Sequence, residues 1–256
     1  MDPRRDARHA SAAPESAPLS APAGPLPANG EGRCESCRVR LVAVCAALQT
    51  DELSALEAIS EPRTLPPRRT LFQQGDAVDS VFTVTAGTVR LQSELSDGRR
   101  QVVGFAIGGD FLGLALANRY GFSAETLTPA TVCRFARRDF ARLVEKHPAL
   151  LSRLHAVASH ELGIAQAHMV VLGRRRAEER VAAFLLRWRA RLRALNGASS
   201  TVPLPMGRQD IADHLGLTIE TVSRVFARWM RQRIVLGVPD GVRVLDEDRL
   251  AALVAD

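Results

Sequence analysis

The chain has 256 residues, 46% of them apolar, and a formal net charge of +6, enough to bury one or two ordinary cores. Lys146 is its only lysine, so the positive charge is almost wholly arginine; that suits forked contact with phosphate and guanine, although base composition alone also produces an arginine bias. No apolar run reaches the ~18–20 residues of a membrane span, and no signal-peptide core stands at the N-terminus. The expectation is a cytoplasmic protein with no membrane partner, where clustered cysteines favour metal or redox chemistry over structural disulfides.

Residues 1–30 are dominated by Ala, Pro, Ser, Gly and charge, a composition that cannot bury enough surface to order itself. A tail is expected there. Residues 31–50 carry Cys34, Cys37 and Cys45, spaced C-x2-C-x7-C, and the only other cysteine is Cys133, far downstream in an apolar stretch. Four thiolates are what an iron–sulfur cluster or a structural zinc needs. Four-cysteine zinc sites usually come as two C-x2-C pairs, which this pattern is not; a chance grouping, with Cys133 simply a small buried apolar residue, stays open on spacing alone.

Residues 51–60 predict a short helix with Leu53, Leu56 and Ile59 on one face. From about 64 to 137 short apolar runs alternate with Gly and Asp punctuation, the pattern of a sandwich or small barrel. Asp97-Gly98 marks a hairpin, and Thr131–Phe135, which contains Cys133, reads as the last strand. Helical grammar resumes near Arg138. Pro148 suits the first position of a long helix, along which Leu151, His155, Ala158, Leu162, Ala165, Met169 and Leu172 recur at spacings of four and three. This is a heptad seam for a second helix, although a helix docked on its own domain could show the same stripe. No acidic residue falls on the seam. Gly173 and Arg174–Arg176 mark a hinge, and a further helix is predicted from 177 to 195. The histidines at 155, 160, 168 and 214 are expected on surfaces or in the seam.

Residues 206–231 have the grammar of a helix-turn-helix. Such a motif needs a small residue where its helices cross, a glycine in the turn, and apolar residues locking the pair. Ala212, Gly216 and Val222 fall at those places, and Ile211, Leu215, Leu217 and Val225 supply the packing. Thr218 is a natural N-cap. The exposed face then shows Thr218, Glu220, Ser223, Arg224 and Arg228, with Ile219 beside them. Glu can accept from cytosine N4 and Arg can fork onto guanine O6 and N7; Glu220 and Arg224, four apart, are placed to hold each other. A plain helical hairpin with a solvated charge pair is the bland alternative. Arg233–Val238, Pro239-Asp240-Gly241 and Val242–Leu245 predict a β-hairpin wing. From residue 174 onward there are fifteen arginines against ten acidic residues, a local net of +5, as phosphate contact requires.

A β-rich front, a heptad helix and a winged helix-turn-helix together resemble the Crp/Fnr superfamily of bacterial transcription regulators, over about residues 34–250. The run LGLTIETVSR (215–224) is similar to the Fnr recognition signature. The resemblance implies an α+β chain: a cluster-binding segment at 31–50, a cyclic-nucleotide-binding-like β-roll at 51–147, a dimerisation helix at 148–173, and a DNA-binding domain at 174–256. It implies a non-enzymatic activator, a homodimer on an inverted repeat of double-stranded DNA, and contact with RNA polymerase. Glu220, Ser223 and Arg224 would read a TTGA-type half-site. Cys34, Cys37, Cys45 and Cys133 match the ligands of the Fnr 4Fe–4S cluster, one per subunit, and the x7 gap resembles the FnrL/FnrN subgroup. Cyclic nucleotide is not expected, because Leu114 in Gly113-Leu114-Ala115 and Phe122 in Phe122-Ser123 stand where the catabolite-activator relatives place a glutamate and an arginine. A regulator of the same superfamily without a labile cluster, answering another small molecule or redox signal, is the alternative.

Overall fold

A computed structural model of the chain describes residues 33–113 and 118–255; the expected tail at 1–30, and Leu114 and Ala115, lie outside the described residues. The cysteine segment runs through turns into a single 3-10 turn, Val44–Ala47. Helix α1 spans Thr50–Ala58. Its start is set by a reciprocal cap in which the Gln49 N–H donates to the Glu52 carboxylate at 2.7 Å. It stops short of the expected residue 60, because Ser60 opens strand β1 (Ser60–Leu65) and pairs with Phe135. A full ladder of backbone hydrogen bonds outweighs two more residues of helix.

Eight strands form two antiparallel sheets. Strands β2 (Thr70–Phe72), β7 (Ser123–Thr126), β4 (Val89–Glu94) and β5 (Arg100–Ala106) lie in that order in one sheet. In the other, β1 is followed by β8 (Ala130–Ala136), β3 (Ser80–Ala86) and β6 (Phe111–Leu112). The Asp97-Gly98 turn joins β4 to β5 as expected, with the Leu95 N–H donating to the Arg99 carbonyl at 2.8 Å. Phe82, Val84, Val89, Ala124 and Val132 fill the space between the sheets. The alternate positions Val81 and Phe135 face outward but are buried as well, under α1, α2 (Arg137–Lys146) and the start of α3 (Pro148–Arg174). Leu53, Leu56 and Leu150 in that second layer are at most 2% exposed. Truncating any one of them to alanine costs about 2–5 kcal/mol.

Pro148 does begin α3. The helix buries Leu150, Leu154 and Val171 on one side and leaves Leu151, His155, Ala158, Leu162, Ala165 and Met169 exposed on the other. Arg175 is extended, which breaks α3 from α4 (Ala177–Asn196). Beyond α4 come β9 (Thr201–Pro203), α5 (Arg208–Leu215), α6 (Ile219–Arg231), β10 (Val235–Val238), β11 (Gly241–Val244) and α7 (Glu247–Ala252). β10 and β11 are the expected wing, and β9 pairs with β11 to complete a three-stranded sheet. β9 escaped the sequence reading because three residues carry no period. Gly241 is required where the wing meets it, since a Cβ there would stand 2.2 Å from the Val202 carbonyl oxygen. The C-terminal core does not stop at the domain edge: Val102, Phe105 and Ile107 around β5 are buried in the same apolar cluster as Leu185, Ile211 and Phe226.

Candidate DNA interface and cysteine site

The helix-turn-helix is built as its residues dictate. Ala212 is fully buried at the crossing of α5 and α6. Gly216 caps α5 in the left-handed conformation at φ +60°, and the Leu217 N–H donates to the Ala212 carbonyl at 3.0 Å. Thr218 then starts α6, its hydroxyl accepting from the Thr221 N–H at 3.2 Å. Val222, Val225, Phe226 and Trp229 form the buried face of α6. Thr218, Glu220, Ser223, Arg224 and Arg228 all lie on the exposed face, where Ile219 joins them.

Two details differ from expectation. Arg224 Nε donates to the backbone carbonyl of Glu220 at 3.4 Å, so the pair is tied through the main chain rather than by a carboxylate–guanidinium fork. The Glu220 carboxyl is held below its ordinary range by its own backbone N–H, by the Thr218 hydroxyl and by the nearby Arg224 charge. Arg228 is already engaged, donating to Glu178 Oε2 of α4 at 2.8 Å.

Sequence reasoning missed the contacts that fix this unit against the sandwich. Arg90 on β4 and Arg100 on β5 both reach Asp210 Oδ1 of α5, at 2.6 and 2.9 Å, and Arg100 also pairs with Asp213. Asp210 uses its other oxygen to cap its own helix, accepting from the Gly207 N–H at 3.1 Å. His214 is a correction: it is not on the surface but 9% exposed, with its Nδ1–H donating to the Val102 carbonyl at 3.0 Å and its ring stacked 4.2 Å from that of His168. Burial first, and the neighbouring His168 next, push its pKa down to about 4. The contacts of Arg90, Arg100 and Val102 with this unit span more than a hundred residues of sequence, and no local spacing announces them.

Three of the four cysteines share one apolar layer, and Cys37 lies near enough to them for their charges to interact. Cys34, Cys45 and Cys133 pack against the outer cluster of the sandwich, between the 3-10 turn and β8. Burial first, and then negative charge on Cys37, Cys34 and Cys45, pushes the Cys133 thiol up to about 12. Burial likewise raises Cys34 and Cys45 to about 11. All four are unbridged. Among the described residues, no group of three or more His, Cys, Asp or Glu closes around a point that could hold a single metal ion. The donor set is nonetheless all sulfur, three of the four against one apolar layer. That is the chemistry of a thiolate-held iron–sulfur group, whose cysteine sulfurs stand further apart than those around one ion.

The heptad seam lies open along α3, Leu162 58% and Met169 62% exposed. Leu172 is the exception, half-buried and facing the turn at Gly216. Phe122 is part of an apolar group in the sandwich with Phe72 and Tyr120. Among the described residues no helix is long and apolar enough to cross a membrane.

A β-sandwich, a long helix with an open apolar seam and a winged helix-turn-helix define a DNA-binding transcription regulator. Residues 62–147 match the family model of the cyclic nucleotide-binding domain, and residues 179–253 that of the Crp-like helix-turn-helix domain. The chain is 50% identical over 224 residues to the transcriptional activatory protein AadR of Rhodopseudomonas palustris, covering 87% of this chain and 94% of AadR. It is 49% identical to the nitrogen fixation regulation protein FixK of Bradyrhizobium diazoefficiens, covering 87% and 94%. With the transcriptional activator FnrL of Cereibacter sphaeroides it shares 34% identity, covering 84% and 91%. The solved structure of FixK2 from Bradyrhizobium japonicum superposes with a TM-score of 0.72 at 32% identity, covering 77% of this chain and 98% of that one. The chain belongs to the Crp/Fnr superfamily of transcription regulators, as a DNA-binding transcription activator.

Proposed function

We propose that this regulator is oxygen-responsive. In this reading Cys34, Cys37, Cys45 and Cys133 hold one 4Fe–4S cluster per subunit, within the segment 31–50 and the last strand of the sensor. When bound, the cluster supplies an oxidisable link between the N-terminal segment and β8. The observation that supports the reading is that Cys34, Cys45 and Cys133 pack against one apolar layer beside the dimer helix, with Cys37, the last of the chain's four cysteines, close enough to interact with their charge. The raised thiol pKa values mean that ligation must release protons, so without metal these thiols stay neutral and only weakly reactive toward oxidants.

The chain's own residues do the rest. Leu151, Ala158, Leu162, Ala165 and Met169 join two copies, with Leu172, which faces the Gly216 turn of its own chain, at the end of the seam, and the alanines let the helices approach closely. Each copy then presents Thr218, Glu220, Ser223 and Arg224 to one half of an inverted, TTGA-type repeat about one DNA turn from the other, with Arg228 at the edge of the contact. RNA polymerase is the partner at the promoter. Phe122 in the sandwich gives a cyclic phosphate no cation to meet, which a buried phosphate needs, so the sensor is read as serving the cysteines rather than a cyclic nucleotide.

Anaerobic reconstitution with iron and sulfide tests this. The expected product is brown, carries four irons per subunit, bleaches in air, and binds a TTGA-type inverted repeat more tightly before bleaching than after. Cys133→Ser should abolish both colour and oxygen dependence while leaving a folded protein. A colourless, iron-free wild type would return the chain to a regulator of the same family that answers another signal.

A further inference from the structure

The loop that follows β5, Gly108–Asp110, is squeezed between the cysteine segment and the DNA-binding unit. A Cβ on Gly108 would stand 3.0 Å from Val39 Cγ1 on one side and 3.3 Å from Leu195 Cδ2 of α4 on the other. A Cβ on Gly109, which sits at φ +98°, would stand 2.8 Å from Val42 Cγ2. Val39 and Val42 both belong to the stretch between Cys37 and Cys45. The next residue, Asp110, is fixed at three points. Its carbonyl accepts from the Val84 N–H at 2.9 Å, its carboxylate accepts from the Ile107 N–H at 2.8 Å, and the same carboxylate oxygen pairs with Arg191 of α4. Arg191 also donates to the Phe105 carbonyl at 2.7 Å. The Val42 carbonyl in turn accepts from Arg153 of α3 at 3.0 Å. Three residues therefore touch the cysteine segment with their backbone and α4 with a half-buried ion pair.

We propose that Gly108–Asp110 is the contact through which the segment between Cys37 and Cys45 positions the DNA-binding unit, with Arg191 as the positioning residue. The inference rests on the cluster reading above for the origin of the signal, but the contact itself does not. A segment drawn in by its cysteines presses Val39 and Val42 onto two glycines that have no side chain to yield. The displacement passes to Asp110, which is rigidly held, and from it to Arg191 and the end of α4. A two-arrangement joint of this kind is what lets a local change bias a distant helix.

The test compares DNA affinity before and after air exposure in reconstituted wild type, Arg191→Ala and Arg191→Lys. Wild type should show a ratio on the order of tenfold. R191A should retain the cluster absorbance and the affinity of the air-exposed protein, while its ratio falls to near unity; R191K should recover part of it. An unchanged ratio in R191A overturns the proposal. If wild type itself shows no cluster and no ratio, the cluster reading fails, and hydrogen exchange in the metal-free protein decides the contact alone. Val42→Ala should then speed amide exchange several-fold across residues 189–196 of α4, and an unchanged rate there overturns the proposal.

Discussion

Glu178 of α4 and Trp229 of α6 are joined by a 2.8 Å hydrogen bond from the indole N–H to Oε1, while the other carboxylate oxygen takes Arg228. Trp229 is fully buried, so its N–H has no water to fall back on. Glu178→Ala should cost about 1–3 kcal/mol in urea unfolding, the penalty of a buried donor left unpaired. Glu178→Gln, which keeps an acceptor, should cost clearly less. Equal losses in the two variants would show that the indole contact is not what matters there.

The same geometry ranks the two arginines of the exposed face. Arg224 has no carboxylate bound to it, whereas Arg228 must leave Glu178 before it can meet DNA. Arg224→Ala should weaken binding to a TTGA-type half-site by about 1–3 kcal/mol and relax the preference at the guanine. Arg228→Ala should cost less and shift all sequences alike. Fluorescence anisotropy with single-base-changed duplexes separates the two outcomes.

His214 makes the junction acid-sensitive. Its folded pKa of about 4 lies below the ordinary 6.5, so between those values the unfolded chain binds a proton that the folded chain refuses. Stability is therefore present above pH 6.5 and is lost as pH falls toward 4, by up to about 3 kcal/mol. Denaturation midpoints of wild type and His214→Gln, measured from pH 7 to 4.5, should converge toward the acid end. Parallel profiles would assign the acid loss to other groups.

Leu162 and Met169 are exposed in the single chain, so a charge at either does little to the fold but sets like charges against each other across a paired seam. Leu162→Glu or Met169→Glu should sediment as a monomer with an unchanged melting temperature and bind an inverted repeat no better than a half-site. A stable dimer in both variants would move the interface off α3.

Much of this was written locally. Thr218, Gly216 and Ala212 specify the helix-turn-helix because a cap, a left-handed turn and a close crossing each demand one kind of residue, and Pro148 and the seam spacing specify the long helix. The β4–β5 hairpin was equally plain from Asp97-Gly98. The end of α1 was not, because Ser60 is drawn into β1 by a strand some seventy residues away. The burial of His214 was also not legible, since an imidazole on a helix reads as surface until β5 is laid over it.

Taken alone, the sequence determined most of the elements, the exposed face of α6 and the presence of four cysteines, all of which follow from short-range periodicity and residue chemistry. Only the tertiary structure decided what these elements press against. Cys133 joins the N-terminal cysteines because β8 lies beside the segment that carries them. Asp210 serves two arginines because the β4–β5 ribbon packs on α5. Two glycines in a turn become the contact between cysteines and α4. Each depends on which distant surfaces fit together at close-packed density, and that fit belongs to the whole chain rather than to any stretch of it.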